Sequence, residues 1–219
     1  MTKKERKKTK SAKLYHIAVL LVFVALTGTY LQQKYGLEFG SLFQSKQPDV
    51  ETKQVTKKKW AKPLELTGVP NLYKVSDELY RGAQPSNEGM RQLEKLGIKT
   101  IINLRSVHSD TDEIENTGLS YEHIRMLTWN TQDEDVVRFL KIVTDSNNTP
   151  VFVHCQYGAD RTGTTCAIYR IAVEGWNKNE AIKEMTEGGF GFHSIWTNLV
   201  DYIQNLDIEK IKHDADLSE

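Results

Sequence analysis

Cysteine is almost missing from this chain. Cys155 and Cys166 are the only thiols in 219 residues. Two cannot build a disulfide scaffold, and no C-x-x-C pair of the metal-binding or redox kind is present. Net charge is missing as well: 29 Lys/Arg balance 29 Asp/Glu at pH 7. The balance is uneven along the chain. Residues 1–13 hold seven basic residues and one acid, Glu5, whereas residues 63–219 hold 15 basic and 25 acidic residues, a formal 15 − 25 = −10. An acidic globular part argues against nucleic acid as a partner. No internal repeat occurs, which argues against a solenoid. The length suffices for one good-sized domain with accessories.

A further absence marks the N-terminal region. "LYHIAVLLVFVALTGTY", residues 14–30, contains no Lys, Arg, Asp or Glu and a single His. At about 1.5 Å per residue, that length makes a short but sufficient spanning helix. Apolar on all sides and next to a lysine cluster, it suits a buried helix of a soluble domain poorly. It reads as an uncleaved single-pass membrane anchor; the rival is a cleavable signal peptide, for which Ala25-Leu26-Thr27 is a weak cleavage site. The basic segment 1–13 then stays in the cytoplasm, and the rest of the chain lies outside, in the periplasm of a cell with two membranes. Lys53, Lys57, Lys58, Lys59 and Lys62 lie more than about twenty residues past the span, where the bias counts for less. Residues 31–62, rich in Gln, Lys and Ser, read as a flexible tether. Residues 63–210 read as the globular domain and 211–219 as a C-terminal tail.

From Leu64 onward the texture changes. "NLYKV" and "ELYRG" read as short strands about a turn, "KTIINL" as a buried strand, "YEHIRM" as another, and "PVFVH" as a third buried run. Between them lie helical stretches. "PSNEGMRQLEKLG" starts at Ser86 and stops at Gly97. "TQDEDVVRFLKIVTD" has Thr131 and Glu134 at capping-box spacing, "TGTTCAIYRIAVEG" ends at Gly175, and Asn177 caps "KNEAIKEMTE". The last helix carries Ile195, Leu199, Ile203 and Leu206 on one stripe. Strands alternating with helices of this length predict an α/β fold with a mainly parallel central sheet flanked by helices.

In such a sheet the ligand site lies beyond the carboxyl ends of the strands. "VFVHCQYGADRTG", residues 151–163, puts Cys155 at such an end and Arg161 six residues on, across a short Gly-containing loop leading to a helix that starts near Thr162. The backbone N–H groups of Gln156, Tyr157, Gly158, Ala159, Thr162 and Gly163 are placed to cradle a tetrahedral anion. The same cradle lowers the pKa of a thiol. Arg161 brings a planar fork that grips two phosphoryl oxygens, and Gly158 and Gly163 permit close approaches that a Cβ would block. Thr162 is placed to hydrogen-bond the sulfur. A thiolate and a guanidinium around a phosphate imply two steps: Cys155 attacks phosphorus to form a cysteinyl-phosphate while an acid protonates the departing oxygen, then water releases phosphate. Neither metal nor cofactor is needed.

"HCQYGADRTG" resembles the H-C-x5-R-[S/T]-G signature of the cysteine-dependent protein tyrosine phosphatases. "LYRGAQP", "IINLR" and "DVVRFLKIVTDSNNTPVFVHC" resemble its compact dual-specificity branch in the bacterial, membrane-anchored form, over roughly Leu72 to Leu206. The resemblance implies a protein phosphatase acting on phosphorylated protein substrates, with His154 orienting the loop. It also implies a general-acid Asp some thirty residues before the cysteine, and there the match departs: "EHIRMLTWN" holds no Asp. Asp133 and Asp135 follow, at a helix start where acids are favourable for the macrodipole alone. Asp160, inside the loop, faces the substrate's charge, and resembling bacterial phosphatases use an Asp at this position; it ranks ahead of Asp133. Between Cys155 and Arg161 stand no Lys and no further Arg, which favours one phosphomonoester over a polyphosphorylated inositol or phosphoinositide. A phosphate-binding pseudophosphatase is the non-enzymatic alternative. Phe190 and Phe192 of "EGGFGFH" either wall the pocket or pack into the core; Trp129 either lines the cleft or covers the sheet; Arg81 and Arg105 either brace the loop or lie at the surface. Cys166 is either a buried core residue or a disulfide partner of Cys155.

Overall fold

The computed structural model describes residues 59–218. The basic segment, the proposed anchor and residues 31–58 of the tether lie outside the described residues. Among the described residues no helix is long and apolar enough to cross a membrane.

The β-branched runs form the middle of the sheet. β3 (Leu79–Gly82), β4 (Thr100–Asn103) and β6 (Val151–His154) are buried along their whole length. β1 (Lys62–Pro63), β2 (Tyr73–Lys74) and β5 (Ser120–His123) complete a sheet of order β1-β2-β3-β6-β4-β5. β3, β6, β4 and β5 run parallel, and their registers align Gly82, His154, Asn103 and His123 at one end. The centre is parallel as expected, and the sheet as a whole is mixed because one edge is antiparallel: β1, β2 and β3 are antiparallel neighbours. The turn between β2 and β3, closed by Val75 N–H donating to Leu79 C=O at 2.9 Å, is far too short for a parallel crossover. "YEHIRM" yields β5, which is an edge strand and half-exposed, not a buried one.

Alternation along the strands splits the core. Val151 and Val153 face one side with Leu79 and Ile102; Phe152 faces the other with Tyr80 and Ile101. On the Phe152 side packs α1 (Asn87–Leu96), whose N-cap Ser86 accepts from Gly89 N–H and whose end is Gly97 at φ 96°. On the other side pack α2 (Asp133–Thr144), α3 (Asp160–Ala172), α4 (Lys178–Glu187), α5 (Thr197–Asn205) and α6 (Ile208–Asp214).

Three local expectations change. The Thr131/Glu134 capping box does not form: Gln132 is the N-cap of α2 without a side-chain bond, and the Thr131 hydroxyl is buried without a partner. Ile195 is outside α5 and exposed, while Leu199 and Ile203 are buried within α5 and Leu206 just past it. The domain does not end at residue 210, because α6 continues and buries Ile211 and Ala215. At the other end Ala61 N–H donates to Glu184 and Lys59 C=O accepts from Arg170, so packing begins before residue 63.

Candidate active site

The buried run of β6 delivers Cys155 to the carboxyl end of the sheet, and α3 begins at Asp160, two residues earlier than the sequence suggests. The intervening loop turns back on β3. Gly158 has φ 69°, and a Cβ there would lie 2.4 Å from the carbonyl carbon of Gly82. Only glycine permits this backbone-on-backbone contact. Gln84 N–H donates to Gln156 C=O at 3.3 Å and adds a second tie. Arg81 lies at the back of the loop. It is buried, donates through Nη2 to Gly158 C=O at 2.7 Å, and stacks its guanidinium 3.8 Å from the Phe190 ring centroid. So Arg81 braces the loop, and Phe190 packs in the interior against Arg81 and, edge-on, Tyr73. Phe192 is half-buried. Arg105 donates to the side chain of Gln84 at 3.0 Å, the residue whose N–H meets Gln156 C=O.

The thiol of Cys155 is buried to 3 % exposure, and burial alone would raise its pKa. The Thr162 hydroxyl and N–H, the Arg161 charge and the Tyr157 N–H outweigh that, and hold the thiol below its ordinary value. The Thr162 hydroxyl lies beside the sulfur without a well-aligned hydrogen bond and has no other partner. Arg161 donates to Leu104 C=O at 3.1 Å and Met126 C=O at 3.4 Å, which ties the segments after β4 and β5 to the loop. Gln156 and Tyr157 are exposed on the outer side, whereas Gly158, Ala159, Thr162 and Gly163 are buried. Cys166 is buried, and burial pushes its thiol up to about 11.

Two partners of the loop, Asp110 behind His154 and His193 beside Asp160, were invisible to sequence reasoning. His154 is fully buried; Nε2 lies 2.7 Å from Asp110 Oδ2 and Nδ1 lies 3.2 Å from Cys155 C=O. Asp110 also accepts from Gln84 and Asn103; burial, which would raise its carboxyl, is outweighed by His154 above all and then by Gln84 and His108, so it is held below the usual range. His193 is the second: its N–H and Nδ1 both lie 2.9 Å from the Asp160 carboxylate. No motif announces either residue, since the pairs are separated by 44 and 33 positions.

Asp160 is buried at the loop's rim with its carboxylate on His193. Asp133 is not brought to the loop. It accepts from Tyr202 on α5 at 2.9 Å and lies 3.6 Å from Lys210 on α6. Trp129 stands 67 % exposed. His108, Asp110 and Glu113 bring three ligand atoms within 4.8 Å of one another, but the Asp110 oxygens are already occupied by His154, Gln84 and Asn103.

A buried strand, a thiol of lowered pKa, a glycine-seated loop and an arginine in the first helical turn form one contiguous phosphate cradle. Residues 66–198, more than half of the chain, match the family described as "DSP-PTPase phosphatase fused to NAD+ Kinase". The chain belongs to this dual-specificity-type family of cysteine-dependent phosphatases. Among its relatives is the dual specificity protein phosphatase TpbA of Pseudomonas aeruginosa, 32 % identical over 148 residues. That match covers 65 % of this chain and 65 % of the relative, so the chain spans slightly under two thirds of the length of this curated phosphatase. The crystal structure of TpbA superposes with a TM-score of 0.65 at 27 % identity, covering 73 % of this chain and 98 % of that one. The catalytic core of Siw14 shares the phosphatase fold, with a TM-score of 0.61 at 23 % identity over 70 % of this chain and 95 % of its own.

Proposed function

We propose that the domain hydrolyses phosphomonoesters through a cysteinyl-phosphate, with phosphotyrosine in proteins as its principal substrate and phosphoserine or phosphothreonine as further ones. The observation that carries this reading is the thiol of lowered pKa inside a loop that ends on Arg161. The thiolate is the nucleophile; the loop amides and Arg161 hold the phosphoryl oxygens; and the buried Thr162 hydroxyl serves the sulfur when it leaves. A solved complex of a Cys-to-Ser form of TpbA with pTyr, 26 % identical to this chain, supports the substrate class. The loop carries no lysine and no arginine before Arg161, which disfavours a substrate with several phosphates. Metal has no step to perform.

The test is turnover of p-nitrophenyl phosphate and of a phosphotyrosine peptide by the purified protein in the presence of EDTA. Both are hydrolysed, and Cys155→Ser eliminates the activity. Retained activity in the serine form, or activity lost to the chelator, would overturn the reading. The absence of any turnover by the wild type would leave a phosphate-binding pseudophosphatase.

The proposal includes the place of action. Residues 14–30 anchor the chain in the cell membrane as a single span, and the catalytic domain lies on the extracytoplasmic side, the periplasm in a two-membrane cell. The uncharged apolar run and the basic residues before it support this.

A further inference from the structure

The phosphatase reading leaves one role unfilled. The departing oxygen needs a proton, and three of the carboxylates that could give it, Asp133, Asp110 and Asp160, are engaged with other side chains. Residues 122–130 contain no Asp, Asp133 faces α5 and α6, and Asp110 lies fully buried behind His154. Asp160, inside the loop, presents both oxygens to His193: Nδ1 lies 2.9 Å from Oδ2 and 3.1 Å from Oδ1, and the His193 N–H donates to Oδ1 at 2.9 Å.

That arrangement shows where an imidazole stands. His193 belongs to the segment between α4 and α5 and is bound to the residue that precedes Arg161. Its ring lies edge-on to Tyr157, centroids 5.9 Å apart. It therefore sits between the two shoulders of the phosphate loop, Tyr157 on one side and Asp160 on the other. Its side chain is 51 % exposed, and among the described residues Nε2 makes no hydrogen bond. Asn71 fixes the surroundings by donating to both Tyr157 C=O and Phe190 C=O, at 2.9 and 3.0 Å.

We propose that His193 is the general acid and base of the reaction, held in place by Asp160, and this rests on the phosphatase reading above. In the first step the Cys155 thiolate forms the S–P bond and the P–O bond to the leaving group breaks. The electron pair goes to the leaving oxygen, which takes the proton from His193 Nε2. His193 is then neutral with its remaining proton on Nδ1, directed at the Asp160 carboxylate. In the second step Nε2 takes a proton from the water that attacks phosphorus. The P–S bond breaks, its electron pair returns to sulfur, and phosphate leaves. A carboxylate that fixes the imidazole tautomer while the other nitrogen moves the proton is the division of labour of a catalytic dyad. Asp160 is here a positioning residue.

The test is leaving-group dependence. Phenyl phosphate has a poor leaving group and needs the proton; p-nitrophenyl phosphate needs it far less. His193→Gln is expected to lose about 10³-fold in kcat with phenyl phosphate and about tenfold with p-nitrophenyl phosphate, within the range of general-acid contributions. Asp160→Asn is expected to show the same trend at smaller amplitude, about 10-fold to 100-fold with phenyl phosphate. Vanadate affinity and the urea midpoint confirm that both variants keep the loop folded. Equal losses on the two substrates in His193→Gln, or no loss, overturn the assignment. So does a steep leaving-group dependence confined to Asp160→Asn, which makes Asp160 itself the acid. If the wild type hydrolyses neither substrate, the phosphatase reading fails and this proposal with it; if it hydrolyses both and the His193 variant retains the wild-type dependence, only the acid assignment fails.

Discussion

At Cys155 the contest between burial and local dipoles decides reactivity. Burial penalises a thiolate at both cysteines, but only Cys155 has loop amides, the Thr162 hydroxyl and Arg161 to offset it. Iodoacetamide at neutral pH is therefore expected to modify Cys155 much faster than Cys166, and peptide mass spectrometry reads the ratio. Equal rates would contradict the electrostatic account. Arg161→Lys is expected to lower kcat/KM about 10²–10³-fold on p-nitrophenyl phosphate, because an ammonium cannot reproduce the bidentate fork. These residues were legible in the sequence because the cradle is one contiguous stretch, residues 151–163, whose chemistry follows from spacing. Its supports were not. Asp110 and His193 reach the loop only through folding, and an isolated Asp in "VHSDTDEIEN" or a His after "GGFGF" looks like any loop residue. Arg81, at a strand end, was readable as one of two alternatives, a brace of the loop or a surface residue. The lowered carboxyl of Asp110 carries a pH signature. A group depressed on folding stabilises above its unfolded pKa, near the ordinary 3.8, and that contribution is lost as pH falls toward the folded value. Urea denaturation between pH 7 and pH 3 is expected to show a steeper loss for the wild type than for Asp110→Asn.

At the scale of elements, the site depends on how α3 is held. The helix is buried almost along its length, and its Arg170 forms a fork with Glu184 of α4, with Nε–Oε2 and Nη2–Oε1 distances of 2.8 Å. Glu174 joins through Nη1 at 2.7 Å, and the guanidinium lies 4.4 Å from the Trp176 ring centroid. The entry of the chain is fastened to the same pair through Lys59 and Ala61. Removing one partner leaves an uncompensated buried charge, so Glu184→Ala is expected to cost about 3–5 kcal/mol in urea denaturation. A loss under about 1 kcal/mol would mean that water reaches the pair. Element types were readable where periodicity and caps were strong, as at Ser86, Gly97 and Asn177. They were misread where tertiary structure decided. α2 begins without its capping box, "YEHIRM" supplies an edge strand, and α6 hides in a segment whose charged residues suggest a tail around the buried Ile211 and Ala215.

For the whole molecule, the charge of the chain and its order along the sequence bear on how the proposed membrane attachment would be made. The part from residue 63 onward carries a formal −10, and the segment before the apolar run is basic. An acidic domain gains nothing from an anionic membrane surface and is repelled by it at distances near the Debye length, about 8 Å at physiological ionic strength. Its own electrostatics would therefore keep it off the bilayer, and the proposed membrane attachment rests on the residues before it: the apolar run 14–30, or the basic residues on either side of it. This separates two mechanisms of association by salt. Peripheral attachment through charge weakens as ionic strength rises, whereas a spanning helix is indifferent to it. The full chain is expected to sediment with membranes, to stay there in 1 M salt or alkaline carbonate, and to be released by detergent. Protease added after permeabilising only the outer layer of the cell is expected to degrade the catalytic domain while cytoplasmic markers survive. Release by salt alone would replace the anchor with surface attachment; protection equal to that of the markers would reverse the orientation; and a mature N-terminus at or after Ala25 would identify a cleaved signal peptide instead.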